Sequence, residues 1–409
     1  MFDTTNRAPG VVILESNPPG PIPGASTNVV AMIGQTANTK LASYTPIRIT
    51  NWTEFTRRTG RQPDEANPDL FDAFDAEATL VLPYAVRGFL DNGGGVLYVV
   101  PVPATSPDYD QALHSLEALT DVSIICAPGV TEAGTQGKII GHCATMKYRF
   151  AILDGVLADP AVPQGGQNGD PPAPKDPIDT VIKAAPGMSA TNAFGAVYWP
   201  WLQVMPPPTA KDQSSRTMPP SGHIAGVYAR SDVNRGVHKA PANEPVNGVL
   251  DVSHRVTEGE HGILNENHVN AIRLYPNRAP MVFGARTRAD EANNLAWRYV
   301  NVRRLLSFIE HSIVDGIQWA IFEPNNTGLW KSLDRTITEF LTRVWQSGAL
   351  FGTTAPEAFY VKIDDELNPA SEMANGKLTI EIGVAPVKPA EYVIIRIGQW
   401  DGGSAVSEG

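Results

Sequence analysis

The chain has 409 residues, of which 42% are hydrophobic and 18% are charged. This length and apolar content exclude a disordered tail and a small disulfide-stapled domain, and they allow two or three domains with cores of their own. The formal net charge of −11 argues against the basic surface that a nucleic-acid-binding protein needs. We therefore expect a folded, acidic protein without a nucleic-acid partner.

The sequence contains no apolar run of roughly 20 residues, the length of a membrane-spanning helix, and its start lacks the layout of a secretory signal. Its two cysteines, Cys126 and Cys143, do not have the spacing of a metal knuckle or a redox pair. They suit buried apolar positions in a reducing compartment. These features predict cytoplasmic synthesis and folding, without membrane insertion.

The first predicted element is a short apolar strand in a segment, 9–24, that is too rich in proline and glycine for a helix. No nearby sequence offers this strand a partner. It therefore either frays or docks on a sheet edge elsewhere, including an edge on another chain. Its apolar residues are Val11, Val12, Ile13 and Leu14.

Residues 27–153 alternate between predicted strands and helices. An apolar run at 27–34 predicts a buried strand, and Asn51 is placed to cap a helix that Gly60 ends. This order predicts an α/β layer with parallel strand pairing. The further helices are expected at 77–90, 108–119 and 132–146, and the further strands at 96–102, 122–127 and 150–153.

The segment 158–177 is dominated by proline, glycine and polar residues, which predicts an exposed loop. A strand at 196–204 and a helix at 219–232 are expected after it. Apolar spacings of three and four then predict two long amphipathic helices, at 293–322 and 329–347.

A strand pair follows, formed by 359–363 and 377–385. The second strand alternates strictly, and one of its faces carries Leu378, Ile380, Ile382 and Val384. The last predicted strand, 391–400, lies beyond another proline-bearing tether, so both chain ends offer a loose strand. Its residues include Tyr392, Val393, Ile394, Ile395, Arg396 and Ile397.

No catalytic, cofactor-binding or metal-binding constellation is recognisable. Residues 134–140 look like a phosphate loop, but Ile139 stands where a metal-binding hydroxyl is required. Three histidines lie in a stretch that glycines interrupt, so no helix stacks them as ligands: His254, His261 and His268. We therefore predict no enzyme, no cofactor and no metal; an α/β enzyme with an unrecognised site is the alternative from another class.

Four stretches of the C-terminal third carry a specific pattern. They are V-R-R-L-L-S-F-I-E-H-S-I-V-D-G-I-Q-W-A-I-F-E-P-N (302–325), L-W-K-S-L-D-R-T-I-T-E-F-L-T-R-V-W-Q-S-G-A-L-F-G (329–352), P-E-A-F-Y-V-K-I-D (356–364) and G-K-L-T-I-E-I-G-V-A-P-V-K-P-A-E-Y-V-I-I-R-I (376–397). Together they resemble the contractile tail-sheath family of phages, R-type bacteriocins and extracellular-type contractile injection systems. The opening P-G-V-V-I-L-E (9–15) resembles the family more weakly.

The resemblance implies a mixed α+β and α/β architecture with two domains and two arms. An inner sheath domain combines the N- and C-terminal parts of the chain, and an insertion domain faces outward. The expected bounds are 25–107 and 253–388 for the inner domain, 108–252 for the insertion domain, 1–24 for the N-terminal arm and 389–409 for the C-terminal arm.

The resemblance also implies a structural subunit that polymerises as stacked six-fold rings around an inner tube and contracts to drive that tube through a target envelope. The terminal strands reach into neighbouring copies, where the 377–385 strand is the acceptor. The implied partners are further copies, the inner tube protein, and baseplate and cap or terminator proteins. We favour an injection system over a myophage tail sheath.

Assembly is expected in the cytoplasm, with a final location in a phage tail, a released particle or an intracellular injection machine. Tube contact in the family uses an inner-domain helix and surface charge, and here ordinary solvated helix faces are the alternative interpretation. The residues assigned to this contact are Arg303, Arg304, Lys331, Asp334 and Arg335.

Overall fold

The computed structural model describes residues 20–36, 41, 43–59, 81–158, 176–206, 214–276, 278–290, 295–392 and 394. The predicted N-terminal strand, with Val11, Val12, Ile13 and Leu14, and most of the 158–177 loop lie outside these residues. The same holds for Val393, Ile395, Arg396 and Ile397 of the predicted C-terminal strand.

The described residues form fourteen strands and eleven α-helices. The strands are β1 (Val30–Thr36), β2 (Ile47–Ile49), β3 (Leu97–Pro103), β4 (Ile124–Cys126), β5 (Phe150–Asp154), β6 (Gly195–Trp199), β7 (Leu202–Val204), β8 (Arg216–Met218), β9 (Glu244–Pro245), β10 (Val249–Val252), β11 (Val269–Arg273), β12 (Met281–Val282), β13 (Phe359–Lys362) and β14 (Glu381–Val384). The helices are α1 (Trp52–Thr59), α2 (Val81–Asp91), α3 (Tyr109–His114), α4 (Ala133–Met146), α5 (Pro177–Ala184), α6 (Ser221–Arg235), α7 (Glu258–Glu266), α8 (Val300–Gly316), α9 (Thr327–Gln346), α10 (Ala355–Ala358) and α11 (Ala370–Ala374).

The largest sheet has nine strands in the order β2-β3-β1-β4-β5-β6-β11-β12-β9. Its six central strands, from β3 to β11, run parallel, and the outer strands pair antiparallel. Every residue of β5 and β6 is buried, as expected for parallel strands that are covered on both faces. The predicted parallel α/β layer is therefore confirmed.

Helices cover both faces of this sheet. Val30 and Met32 of β1 point into the core on the side of α1, α2 and α6, whereas Ala31 and Ile33 point into the core on the side of α3, α4, α5 and α7. Helices α2 and α6 pack closely because a glycine lies at their contact. A Cβ on Gly226 of α6 would stand 2.4 Å from the carbonyl oxygen of Phe89.

The C-terminal helices form a second, smaller unit with the strand pair β13–β14. Helices α8 and α9 bury an apolar face that includes Leu305, Ile309, Ile337 and Leu341. Ile22, near the start of the described chain, belongs to the same core and is only 1% exposed. The described residues around Ile22 are therefore part of this unit.

The large sheet crosses the domain boundaries that the sequence suggested at 107/108 and 252/253. Strand β1 pairs with β4 across the first boundary, and β6 pairs with β11 across the second. Residues 108–252 therefore share a sheet with residues on both sides of them in the chain. Apolar strand patterns reveal each strand but not its neighbours, because the pairing of parallel strands depends on contacts that are distant in sequence.

Several predicted elements are shorter than the sequence indicated, among them the helix at 108–119 and the strand at 122–127, which are reduced to α3 and β4. The strand at 196–204 is split into β6 and β7, which belong to different sheets, because Pro200 between them has no N–H for a ladder. The helix at 293–322 is α8 with a 3-10 turn on either side. Its start is delayed because the backbone of 298–300 bonds to the segment 285–287 instead.

The strand at 377–385 is reduced to β14 because the Asn368 side chain bonds to backbone groups just before β14, which are then not paired with another strand. Asn368 donates to the carbonyl of Thr379 at 3.0 Å and accepts from its N–H at 2.6 Å. The alternation is nonetheless preserved, since Leu378, Ile380, Ile382 and Val384 are half-buried while Lys377, Thr379 and Glu381 are exposed.

Candidate assembly surfaces at the chain ends

The strand pair β13–β14 is a small antiparallel ribbon on the surface of the C-terminal unit. Its register pairs Phe359 with Val384 and Lys362 with Glu381. One face of the ribbon packs on the core of α8 and α9 through Ile380, Ile382 and Val384. In the part of the chain that the structure describes, this sheet has two strands, so Phe359–Lys362 and Glu381–Val384 each have one edge without a named strand, while Pro386, just after β14, forms an antiparallel bridge with Leu350.

The outer face of the ribbon is held by a cross-strand contact. The Tyr360 ring lies over Gly383, where an added Cβ would stand 2.1 Å from the ring. The Tyr360 hydroxyl donates to Oε1 of Glu381 at 2.6 Å. An ordered two-stranded ribbon with open edges is a template on which an extended chain can pair.

The C-terminal segment leaves the body at a buried ion pair. Nε and Nη2 of Arg286 donate to the two carboxylate oxygens of Glu391 at 2.9 and 2.7 Å. The Tyr299 hydroxyl donates to the same carboxylate at 3.3 Å. The side chains of Arg286 and Glu391 are 7% and 18% exposed, so most of this pair is out of water.

The electrostatics of this site favour an ionised Glu391. Burial raises the pKa of Glu391, but the hydrogen bonds and charge of Arg286, with the Tyr299 hydroxyl, outweigh burial and leave the pKa below its usual value. A bidentate, charge-assisted contact of this kind fixes direction as well as distance. It therefore sets where the chain departs.

A second contact holds the same segment four residues earlier. The Asn301 side-chain amide donates to the carbonyls of Val387, at 3.2 Å, and His238, at 2.8 Å. Between these contacts and the body lies a cleft of about 590 Å³, which Phe283 and His261 help to line. Residues 387–391, which we call the C-terminal root, are thus anchored at both ends.

Beyond the C-terminal root, the described residues turn outward. Tyr392 and Ile394 are 73% and 82% exposed, and neither is in a strand of this subunit. The contact of Tyr392 with the body is a bond from the Asn265 side chain to its hydroxyl at 3.4 Å. The side chains of Tyr392 and Ile394 are therefore largely in solvent in the isolated subunit.

The N-terminal segment is anchored in a similar way on the C-terminal unit. Arg343 of α9 donates to the Ile22 carbonyl at 2.8 Å, and the Ala25 N–H donates to the hydroxyl of Ser312 at 2.9 Å. Ile22 also packs on the last residue of α8, where a Cβ added to Gly316 would meet it at 2.6 Å. Residues 22–25 therefore form an N-terminal root on the unit that carries the open ribbon.

The chain is similar to known proteins over nearly its whole length. Residues 103–288 match the phage tail sheath protein central domain, and residues 292–399 match the phage tail sheath C-terminal domain. The sheath complex of an extracellular contractile injection system, PVC, in its contracted state is 30% identical to this chain. The match covers 97% of this chain and 99% of that one, with a TM-score of 0.75. The chain belongs to the contractile tail-sheath family.

Two further relatives are similar to this sheath-family chain. A chain of the anti-feeding prophage baseplate, solved with six-fold symmetry, is 30% identical over 96% of this chain and 99% of its own length, with a TM-score of 0.70. A Pseudomonas aeruginosa prophage protein described as a major tail sheath protein is 26% identical over 68% of this chain. The chain spans 65% of the length of that prophage protein.

The structure corrects the predicted surface position of Arg303 and Arg304, which are each 5% exposed. Arg304 forms an ion pair with Asp232 of α6 at 2.6 Å, and Arg303 lies over the ring of Trp297 at 4.2 Å. Neither guanidinium is available on the subunit surface for a tube. Three of the assigned residues are exposed on α9, and the predicted tube contact rests on them: Lys331, Asp334 and Arg335.

The candidate chemical motifs have structural roles in this sheath-family fold. The Glu132 carboxylate accepts from the N–H groups of Gly134 and Thr135, so the first turn of the supposed phosphate loop is capped by its own chain. His261 and His268 contact the backbone carbonyls of Phe283 and Thr287. Among the described residues, no group of acidic, histidine or cysteine side chains is arranged to hold a metal ion.

Both cysteines are buried and free, as predicted, and burial raises the pKa of Cys143 to about 12. Over the described ranges, no helix is both long and apolar enough to span a bilayer.

Proposed function

We propose that this chain is the structural subunit of a contractile sheath. It polymerises as stacked six-fold rings around an inner tube and contracts to drive that tube through a target envelope. The likeness over nearly the whole chain to a sheath complex in its contracted state supports this role. The observation that carries the proposal is the open β13–β14 ribbon next to two anchored roots from which the chain ends depart.

Strand donation joins the copies. The arm residues Val11–Leu14 and Tyr392–Ile397 pair with the open edges of β13–β14 on neighbouring copies, with β14 as acceptor. Each backbone hydrogen bond gained contributes about 0.5–1.5 kcal/mol net, and burial of the apolar arm side chains adds to this. Because each copy gives its arms to different neighbours, the contacts do not close, and a helical lattice results.

Contraction is a rigid-body rearrangement in which the strands donated between copies stay paired. The Arg286–Glu391 and Arg343–Ile22 contacts hold each root on its own subunit, while proline- and glycine-bearing tethers absorb the rotation between bodies. The work is stored when the extended lattice assembles. The role is therefore structural, without an enzymatic step, a nucleotide or a cofactor.

Further partners follow from the place of such a sheath in a particle. The exposed charges of Lys331, Asp334 and Arg335 on α9 contact the inner tube, and the ends of the sheath contact baseplate and cap or terminator proteins. The six-fold baseplate relative supports the baseplate contact. The chain matches 99% of the length of the injection-system sheath chain, which favours an injection system over a phage tail. Assembly takes place in the cytoplasm.

Removal of the C-terminal arm tests this function. The full chain, purified alone, is expected to form tubes or ring stacks in electron micrographs. A truncation after Tyr392 keeps the C-terminal root and its ion pair, so we expect a folded subunit, with an unchanged circular dichroism spectrum, that no longer assembles. Tubes of normal length from the truncated chain would contradict strand donation by this arm.

A further inference from the structure

The loop between α8 and α9 exposes two large apolar side chains in succession. Phe322 is fully exposed, and Ile321 is 63% exposed. The backbone of Phe322 has φ = 69°, in the left-handed region that residues with a bulky side chain avoid. A phenylalanine held in this conformation and pointing into solvent costs free energy in the isolated subunit, and such outliers cluster at functional sites.

The loop that presents Phe322 is ordered by the contacts of its neighbours. The N–H of Ile321 donates to the Gln318 carbonyl and that of Glu323 to the Ala320 carbonyl, both at 3.2 Å. On the far side, the Trp330 indole donates to the Asn325 side chain at 2.8 Å. Phe322 is therefore displayed by a fixed turn.

The position of this loop connects it to the proposed joints between copies. The Asn325 amide donates to the carbonyl of Lys377 at 3.0 Å, and Lys377 lies four residues before β14. At the other end of the loop, Gly316 packs on Ile22 of the N-terminal root. The loop thus lies between the acceptor ribbon and the place where the N-terminal arm departs.

We propose that Ile321 and Phe322 form a contact with a second copy of this chain. This inference rests on the proposed function, because a neighbour that exchanges strands with the ribbon and the N-terminal arm must approach the surface between them. The contact is separate from strand donation: it buries two side chains, whereas an arm pairs through its backbone. It stabilises the lattice by placing an exposed aromatic ring against the adjacent body.

The test compares assembly of the purified full chain with Phe322→Ser, Phe322→Leu and Leu250→Ser variants. Leu250 is a matched control because it is 58% exposed but lies on β10 of the separate three-stranded sheet. We expect Phe322→Ser to raise the critical concentration for assembly at least about tenfold. Phe322→Leu keeps part of the apolar contact, so its critical concentration should lie between those of the wild type and Phe322→Ser. The critical concentration of Leu250→Ser should equal that of the wild type.

Folding is checked separately with Phe322→Gly, since glycine adopts φ = 69° without strain. Its thermal midpoint is expected to equal or exceed that of the wild type while assembly is lost. A midpoint clearly below that of Leu250→Ser, or assembly of Phe322→Ser at the wild-type concentration, would overturn the inference. The inference would also be overturned if purified Phe322→Ser assembled normally by itself and failed only to enter complete particles, because the partner of Phe322 would then be another protein. If the wild-type chain does not assemble, the proposed function fails as well.

Discussion

Arg304 and Asp232 join the C-terminal helices to the layer that covers the large sheet. Two bonds, at 2.9 and 2.6 Å, link the guanidinium on α8 to the carboxylate on α6, and both side chains are at most 4% exposed. Arg304 also donates to the Thr27 carbonyl, at 2.8 Å, and lies over the ring of Tyr228. One residue therefore connects the two units and the start of β1.

Replacement of Arg304 by methionine should destabilise the subunit strongly. The change leaves the Asp232 carboxylate buried without its counter-charge, which costs about 3–5 kcal/mol. Arg335→Met removes an exposed arginine and should change the free energy of unfolding by less than about 0.5 kcal/mol. Urea unfolding of the two variants measures the difference, and equal midpoints would show that the buried pair contributes nothing specific.

Asp154, at the end of β5, makes the stability depend on pH. It is buried and accepts from the N–H groups of Ser221 and Gly129, at 2.7 and 2.9 Å. Burial raises its pKa from 3.8 to about 7, against the opposing effect of these bonds. The folded state therefore holds the proton more tightly than the unfolded chain. The contribution of this proton to the free energy of unfolding is complete below pH 3.8 and is lost as the pH rises through about 7.

The expected loss is at most about 1.4 kcal/mol per pH unit. Urea unfolding at a series of pH values from 4.5 to 7.5, compared between the wild type and Asp154→Asn, measures it. The variant cannot titrate at this position, so the wild-type free energy of unfolding should fall with pH relative to that of the variant. Parallel curves for the two proteins would contradict a raised pKa at Asp154.

At the scale of the element, the sequence predicts strands and helices better than it predicts their surroundings. The Asn51 cap of α1 and the apolar runs of β1 and β5 depend on neighbouring residues, and the structure has them as expected. The burial of Arg303 could not be read from α8 alone. It depends on Phe194 and Trp297, which tertiary folding brings over its guanidinium.

The same limit applies to the assembly surfaces. The alternation in 377–385 correctly places Ile380, Ile382 and Val384 on one face, which packs on the core of α8 and α9. The ion pair between Glu391 and Arg286, which we call the clamp, was not predicted, because Arg286 lies 105 residues earlier. The one signal in the sequence was the acidic Glu391 at the start of a predicted strand that is mostly apolar.

Loss of the clamp should free the C-terminal root while the body stays folded. In Glu391→Ala, the root keeps its Asn301 contact but loses both bonds to Arg286, so the segment around 389–394 opens more often. Cleavage there by thermolysin under native conditions tracks the open population, and we expect its rate to rise roughly tenfold. Glu366→Ala, which removes an exposed glutamate, is the control and should match the wild type. Equal cleavage of the two variants would mean that the clamp does not hold the root.

At the scale of the molecule, a sheet body and a small C-terminal unit carry the N-terminal root at 22–25 and the C-terminal root at 387–391. Buried contacts such as Arg304–Asp232 join the sheet body to the C-terminal unit. Under the proposed function, the arms beyond these roots extend to other copies. The functional object would then be a lattice whose copies are joined by exchanged strands.

Helical reconstruction of the assembled chain by cryo-electron microscopy would show whether copies exchange strands. We expect each β13–β14 ribbon to be extended into a larger sheet by the 11–14 segment of one neighbour and the 392–397 segment of another. The Glu391 root of each donated arm should still contact Arg286 of its own body. Strand exchange would be ruled out by an assembly in which both chain ends fold back onto the subunit they belong to and leave the ribbon with two strands.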